Sequence, residues 1–179
     1  MATGANANNA STKTKRRKLL PAEQNLFPLS FRKAINIGNL TLIYSAHNIF
    51  VSGKIPFPPF KDAKILARPN RIYWPNCPDD FTKASIVNQS TLMHELCHIW
   101  QYHTGRLSTV GYATRPKGWF YKYHFDPKKK FDDYPTEKQA DLLQDWYLLN
   151  KGKKATNFQQ RTSPPTKDQI NKIVPFQWS

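Results

Sequence analysis

The chain has 179 residues, 39% apolar and 13% aromatic, enough for one folded domain with a tail. No run approaches the roughly 18 consecutive apolar residues of a membrane span, and no apolar segment follows Met1 to act as a secretory signal peptide, so export is expected to use another route. Lys plus Arg outnumber Asp plus Glu by 27 to 12, a formal charge of +15 that favours polyanionic partners (nucleic acid, an anionic membrane surface, an acidic cell-envelope polymer) without choosing among them.

Residues 1 to about 20 read as a disordered basic tail: the first ten offer little to bury, and the run Lys13, Lys15, Arg16, Arg17, Lys18 repels itself. Residues 21–179 are expected to form a single domain. Leu42, Ile43, Tyr44, Ile49, Phe50 and Val51 predict one or two strands between Leu40 and Val51, and Pro56, Pro58 and Pro59 mark a loop. Arg71 to Trp74 is a short β-prone run closed by Pro75. Asp79 to Thr82 then offers N-cap chemistry for a helix running to about Thr104, with Gly105 as its stop. Ile86, Met93, Cys97 and Trp100 recur along it at helical spacing.

After an aromatic-rich connection, a second helix is expected with Pro135 in its first turn and Gly152 at its end. It has one apolar stripe at Ala140, Leu143 and Tyr147 and another at Leu142, Trp146 and Leu149, the pattern of a buried helix. A short helix is predicted from Lys167 to Val174. The basic clusters at Lys128–Lys130 and at Lys151, Lys153 and Lys154 read as solvated loop tips. Two cysteines, Cys77 and Cys97, cannot make a disulfide framework; Cys97 reads as a small apolar filler, and a bridge between the two would matter only in an oxidising compartment. The fold class is α+β: a small sheet packed on two central helices.

The chemistry concentrates in His94-Glu95-Leu96-Cys97-His98. Residues i and i+4 differ by about 40° around a helix and 6 Å along it, so His94 and His98 project from one face and can share a metal. Imidazole nitrogen suits Zn²⁺, and Glu95 is placed to take a proton from an attacking water as general base. From 5 histidines and 3 glutamates in 179 residues, the pattern is expected by chance about 0.002 times. A catalytic zinc site needs a third protein ligand. Of the three glutamates, Glu23 lies near the tail, Glu95 is the base, and Glu137 opens the second helix with Asp141 one turn on. Glu137 is the expected third ligand and Asp141 the hydrogen-bond acceptor for a ligand histidine. The plainer alternative is an acidic first turn that complements the helix dipole.

These residues carry a resemblance. His94-Glu95-x-x-His98 followed by Glu137-x-x-x-Asp141 resembles the gluzincin metallopeptidases, whose two-His, one-Glu set implies zinc. More closely, the chain resembles small peptidases found with bacterial type VI secretion genes and labelled Vgr-related. The matching pieces are Asn70 to Trp74, Asp80-Phe81, Leu92 to Tyr102, Tyr121-x-Tyr123, Phe131 to Tyr134, and Glu137-x-Gln139-Ala140-Asp141 through Tyr147, within residues 65–150. The resemblance implies a protein made in the bacterial cytoplasm and secreted without a signal peptide. It would act in the periplasm of a target cell on peptidoglycan cross-links, with a secretion-machinery component and a cognate immunity protein as partners.

Such a site also needs a group to stabilise the oxyanion. Candidates lie in Tyr121-Lys122-Tyr123-His124; on an extended strand Tyr121 and Tyr123 share one face and His124 takes the other. Tyr123 and His124 are carried as candidate catalytic residues, against a plainer reading of aromatic core packing and a surface imidazole. His47 and His103 read as non-ligands. The expected function is a zinc peptidase delivered as an antibacterial effector that cleaves peptide bonds in peptidoglycan. The alternatives are a metalloprotease toxin acting on a protein and a non-catalytic zinc-containing binding protein. Nucleic acid is a disfavoured partner, because a nucleic-acid module has no use for an intact base beside the metal.

Overall fold

Four short strands and two long helices position the site. The computed structural model describes residues 14–45, 65–108, 122–159 and 163–178. The strands are β1 (Arg16–Lys18), β2 (Thr41–Ile43), β3 (Leu66–Arg68) and β4 (Arg71–Tyr73), in the order β1-β2-β4-β3. The central pair β2 and β4 is parallel, with Leu42 opposite Ile72, and both side chains are fully buried. β1 adds antiparallel to β2, and β3 adds antiparallel to β4. The two-residue turn between β3 and β4 uses Asn70 at φ 58°, a left-handed conformation that asparagine tolerates better than most residues.

The helices are α1 (Pro21–Gln24), α2 (Leu29–Ile35), α3 (Ile86–His103), α4 (Thr136–Asn150) and α5 (Lys167–Ile173). α3 packs along α4 on one side and against β3 on another. This is the expected α+β arrangement of a small sheet on two central helices. Met93, Leu96, Cys97 and Ile99 of α3 are buried, as are Ala140, Leu142, Leu143, Trp146 and Tyr147 of α4. Both apolar stripes of α4 are thus covered, one reason a helix apolar on two sides sits in the middle of a fold. Trp100 joins the two layers to the C-terminus through edge-on contacts with Phe131 and Phe176. Among the described residues, no helix is long and apolar enough to cross a membrane.

Several local expectations are corrected. The basic tail does not extend to residue 20, since Arg16–Lys18 form β1. A basic run makes a tolerable edge strand because its charges discourage pairing with another chain. Arg17 is not a solvated cation: its guanidinium forks onto Glu23 at 2.6 and 2.7 Å, and it also donates to Tyr44 Oη and to the Pro78 carbonyl, each at 2.8 Å. Glu23 is therefore not peripheral but fully buried. α3 begins at Ile86, not near Asp79. The Asp80 carboxylate is taken up by the Thr82 backbone N–H at 2.9 Å and its hydroxyl at 2.6 Å, which closes a turn, and Ser85 caps the helix by accepting from Asn88 N. Pro135 precedes α4 as its N-cap residue, and Gly152, at φ 70°, follows its end. Residues 1–13, His47, Ile49 to Val51, Pro56, Pro58, Pro59 and Tyr121 lie outside the described residues.

Candidate metal centre

The geometry follows from two helices packed along each other, with the first turn of α4 beside the middle of α3. His94 and His98, one turn apart on α3, stack edge to face with ring centroids 4.9 Å apart. Glu137, in the first turn of α4, points Oε2 at both: 3.5 Å from His94 Nε2 and 3.4 Å from His98 Nε2. One ligand atom from each of the three residues lies within 4.8 Å of the others. Those spacings test whether the donors fit a metal. They exceed the 2.7–3.2 Å of a good N–H···O hydrogen bond. Zinc bonds of about 2.0–2.1 Å in a tetrahedron place ligand atoms roughly 3.3–3.4 Å apart. The donor set of two imidazole nitrogens and a carboxylate oxygen, with the oxygen 3.4–3.5 Å from each nitrogen, therefore fits Zn²⁺.

Burial grades across the centre. The His98 side chain is 4% exposed, that of Glu137 12% and that of His94 17%, so the centre opens to solvent on the His94 side. Glu95, between the two histidines in sequence, is also buried. Among the described residues no protein donor hydrogen-bonds its carboxylate, an arrangement suited to a base that exchanges protons with a small molecule.

Each ring has its own brace. His94 turns Nδ1 towards Asp141 Oδ1 at 3.4 Å, which places the expected acceptor beside that ring. Asp141 also faces Lys138, whose Nζ lies 3.6 Å from its other oxygen and whose burial lowers the ammonium pKa. His98 turns Nδ1 to Gln101 Oε1 at 2.8 Å. Gln101 in turn donates Nε2–H to Thr136 O at 2.8 Å and to Gln139 Oε1 at 2.9 Å. Gln139 donates to Tyr134 O at 2.9 Å. Sequence reasoning missed Lys138, Gln101 and Gln139. Gln101 stands three residues after His98, within reach on a helix, and that spacing was the one available signal.

The oxyanion candidates are placed differently. Tyr123 is 1% exposed, and its hydroxyl donates to Asp145 Oδ2 at 2.8 Å. Burial, reinforced by that carboxylate, pushes the phenol pKa far up. Asp145 also accepts from the backbone N–H groups of Thr156 and Asn157 and from the Asn157 side chain. Tyr123 thus ties residues 122–126 and 156–158 to α4, the core-packing alternative raised above. His124 is exposed, and Tyr121 lies outside the described residues. His103 binds Asn70 Oδ1 at 2.9 Å, linking the end of α3 to the β3–β4 turn.

No family model matches the chain. Over 74 residues it is 30% identical to the type VI secretion system spike protein VgrG2b of Pseudomonas aeruginosa; the match covers 38% of this chain and 7% of the spike protein. The chain therefore spans only a small part of that relative's length. Among solved structures, the effector domain of P. aeruginosa VgrG2b shares the fold with a TM-score of 0.60 and 25% identity, over 75% of each chain. Sequence and structure thus agree on homology to the VgrG2b effector domain.

Proposed function

We propose that the chain is a secreted effector with a zinc centre that hydrolyses peptide bonds in the bacterial cell wall. The observation that supports the reading is the convergence of His94, His98 and Glu137, with Glu137 Oε2 3.4–3.5 Å from both Nε2 atoms and a buried glutamate beside His94. Homology to the effector domain of a type VI spike protein supports secretion by such a machine and, with it, a cognate immunity protein in the producing cell. The charge of +15 supports an anionic wall as the surface on which the protein works.

When bound, zinc would supply Lewis acidity to the attacked carbonyl and lower the pKa of the attacking water. The chain's own residues do the rest. His94, His98 and Glu137 hold the metal. Asp141 and Gln101 keep the two rings aimed. Glu95 accepts the proton as the water oxygen bonds to the carbonyl carbon, then passes it to the amide nitrogen as the C–N bond breaks. The partial exposure of His94 lets substrate approach from that side.

Glu95→Gln is expected to retain fold and metal and to lose turnover by ~10²–10⁴-fold, because a near-isosteric amide cannot accept the proton. Digestion of purified sacculi, with fragments read by mass spectrometry, measures it. Wild-type protein should release cleaved stems and Glu95→Gln should not. Expression with an added periplasmic signal should lyse or round up cells, and cytoplasmic expression should be tolerated. Intact sacculi with the zinc-loaded protein, or toxicity confined to the cytoplasm, would instead indicate a protein substrate inside the cell. Equal toxicity from Glu95→Gln would indicate a non-enzymatic mode.

A further inference from the structure

The two side-chain amides behind His98 form a directional chain whose polarity is dictated by the backbone. Gln139 lies against the carbonyls of Tyr134, at 2.9 Å, and Phe131, at 3.4 Å. A carbonyl only accepts, so the Gln139 NH₂ must face these two and its Oε1 must face Gln101. Gln101 therefore presents NH₂ to Gln139 Oε1, and the Thr136 carbonyl on the same side demands the same orientation. Its Oε1 is left for His98 Nδ1, at 2.8 Å. An amide oxygen only accepts, so Nδ1 must carry the proton. Rotating either amide by 180° would set NH₂ against NH₂ or oxygen against carbonyl oxygen, in a setting where Gln101 is fully buried and Gln139 4% exposed. Unsatisfied polar atoms at that depth cost about 1–3 kcal/mol each.

We propose that Gln101 is a positioning residue for the metal centre. Oriented by Gln139 and by the backbone carbonyls of Thr136, Tyr134 and Phe131, it accepts the His98 Nδ1–H and so fixes the ring with Nε2 directed at Glu137. The proposal rests on the zinc reading above, but it concerns the ring before any metal arrives. His94 is braced by a carboxylate that also faces an ammonium; His98 is braced by a neutral amide whose direction is set three links away. The deeper ring is thereby oriented by a neutral group and adds no further charged brace, which would need a partner of its own.

The test is ¹⁵N NMR of the histidine rings in the full chain stripped of metal, with Zn²⁺ titrated afterwards. In the wild type His98 should show one tautomer, protonated at Nδ1. Gln101→Leu, which removes the acceptor, should give a mixture of tautomers and weaken Zn²⁺ binding by ~10–100-fold, the usual cost of losing such a support. Gln139→Leu, which touches no ligand, should shift the tautomer ratio in the same direction by a smaller amount. A wild-type His98 that lacks the Nδ1 proton would overturn the proposal whether or not the variants fold. So would a folded Gln101→Leu that binds Zn²⁺ as tightly as the wild type. A wild type that shows the Nδ1–H tautomer but takes up no Zn²⁺ would sink the zinc reading and leave the ring-orienting role in place.

Discussion

Glu23 and Glu137 are the same residue type, each in the first turn of a helix and each buried, yet they face opposite kinds of neighbour. The Glu23 carboxylate is surrounded by hydrogen carriers: Arg17 Nη1 and Leu20 N on one oxygen, both at 2.6 Å, and Arg17 Nη2 and Phe81 N on the other, at 2.7 and 2.8 Å. It ties β1, α1 and the approach to α3 together, and nothing remains for it to bind. Glu137 Oε2 instead lies 3.5 Å from His94 Nε2 and 3.4 Å from His98 Nε2, rings whose other nitrogens are turned to Asp141 and Gln101. Three groups that can each ligate a cation meet there. Burial and helix position alone would not have separated the two carboxylates; the kind of side chain around each does.

The comparison is most directly broken by removing Glu137 or a ring beside it. Wild-type protein should carry one divalent metal per chain, and Glu137→Ala and His98→Ala should carry none, by elemental analysis of the folded fraction. Full occupancy in both variants would mean that the metal binds elsewhere. The structural member is broken through its partner. Arg17→Met should destabilise the protein by about 3–5 kcal/mol in chemical unfolding, because it leaves a buried carboxylate without its counter-charge. Metal content of the folded fraction should not change. A loss below about 1 kcal/mol would put this pair in the class of exposed ion pairs.

A smaller effect sharpens the boundary between scaffold and site. Tyr123→Phe should cost about 1–3 kcal/mol of stability, the price of leaving Asp145 short of one donor, and leave kcat within about twofold. A drop of ~10²-fold in kcat at unchanged stability is what loss of an oxyanion donor looks like, and would return Tyr123 to the site.

What could be read from the sequence was local. His94, Glu95 and His98 lie within one helical turn, and i,i+4 geometry needs no tertiary information. Glu137 could be reached because only three glutamates exist and one opens a predicted helix. The braces depended on distance in sequence: Gln101 meets Gln139 across 38 residues, and Glu23 meets Phe81 across 58. The basic run at Arg16–Lys18 looked like solvated tail because nothing local showed that Arg17 has a buried carboxylate waiting six residues on. The start of α3 was misplaced for a related reason: Asp80 caps a turn as readily as a helix, and only the observed hydrogen bonds to Thr82 distinguish the two. Tyr123 carried a strand-face argument towards the metal, whereas its hydrogen-bond partner Asp145 lies 22 residues away and could not be read locally.

The two cysteines give this chain a particular relation to oxidants. Both are buried with free thiols, and burial raises both pKa values, that of Cys77 to about 11. Thiolate is the form that attacks disulfides and oxidants, so burial both disfavours that form and keeps it behind packed side chains. The same thiols on an unfolded chain regain ordinary acidity and access. Folding itself thus keeps the two thiols of this molecule from reacting: what exposes them is loss of the packed core, not a change in the redox state of the surroundings.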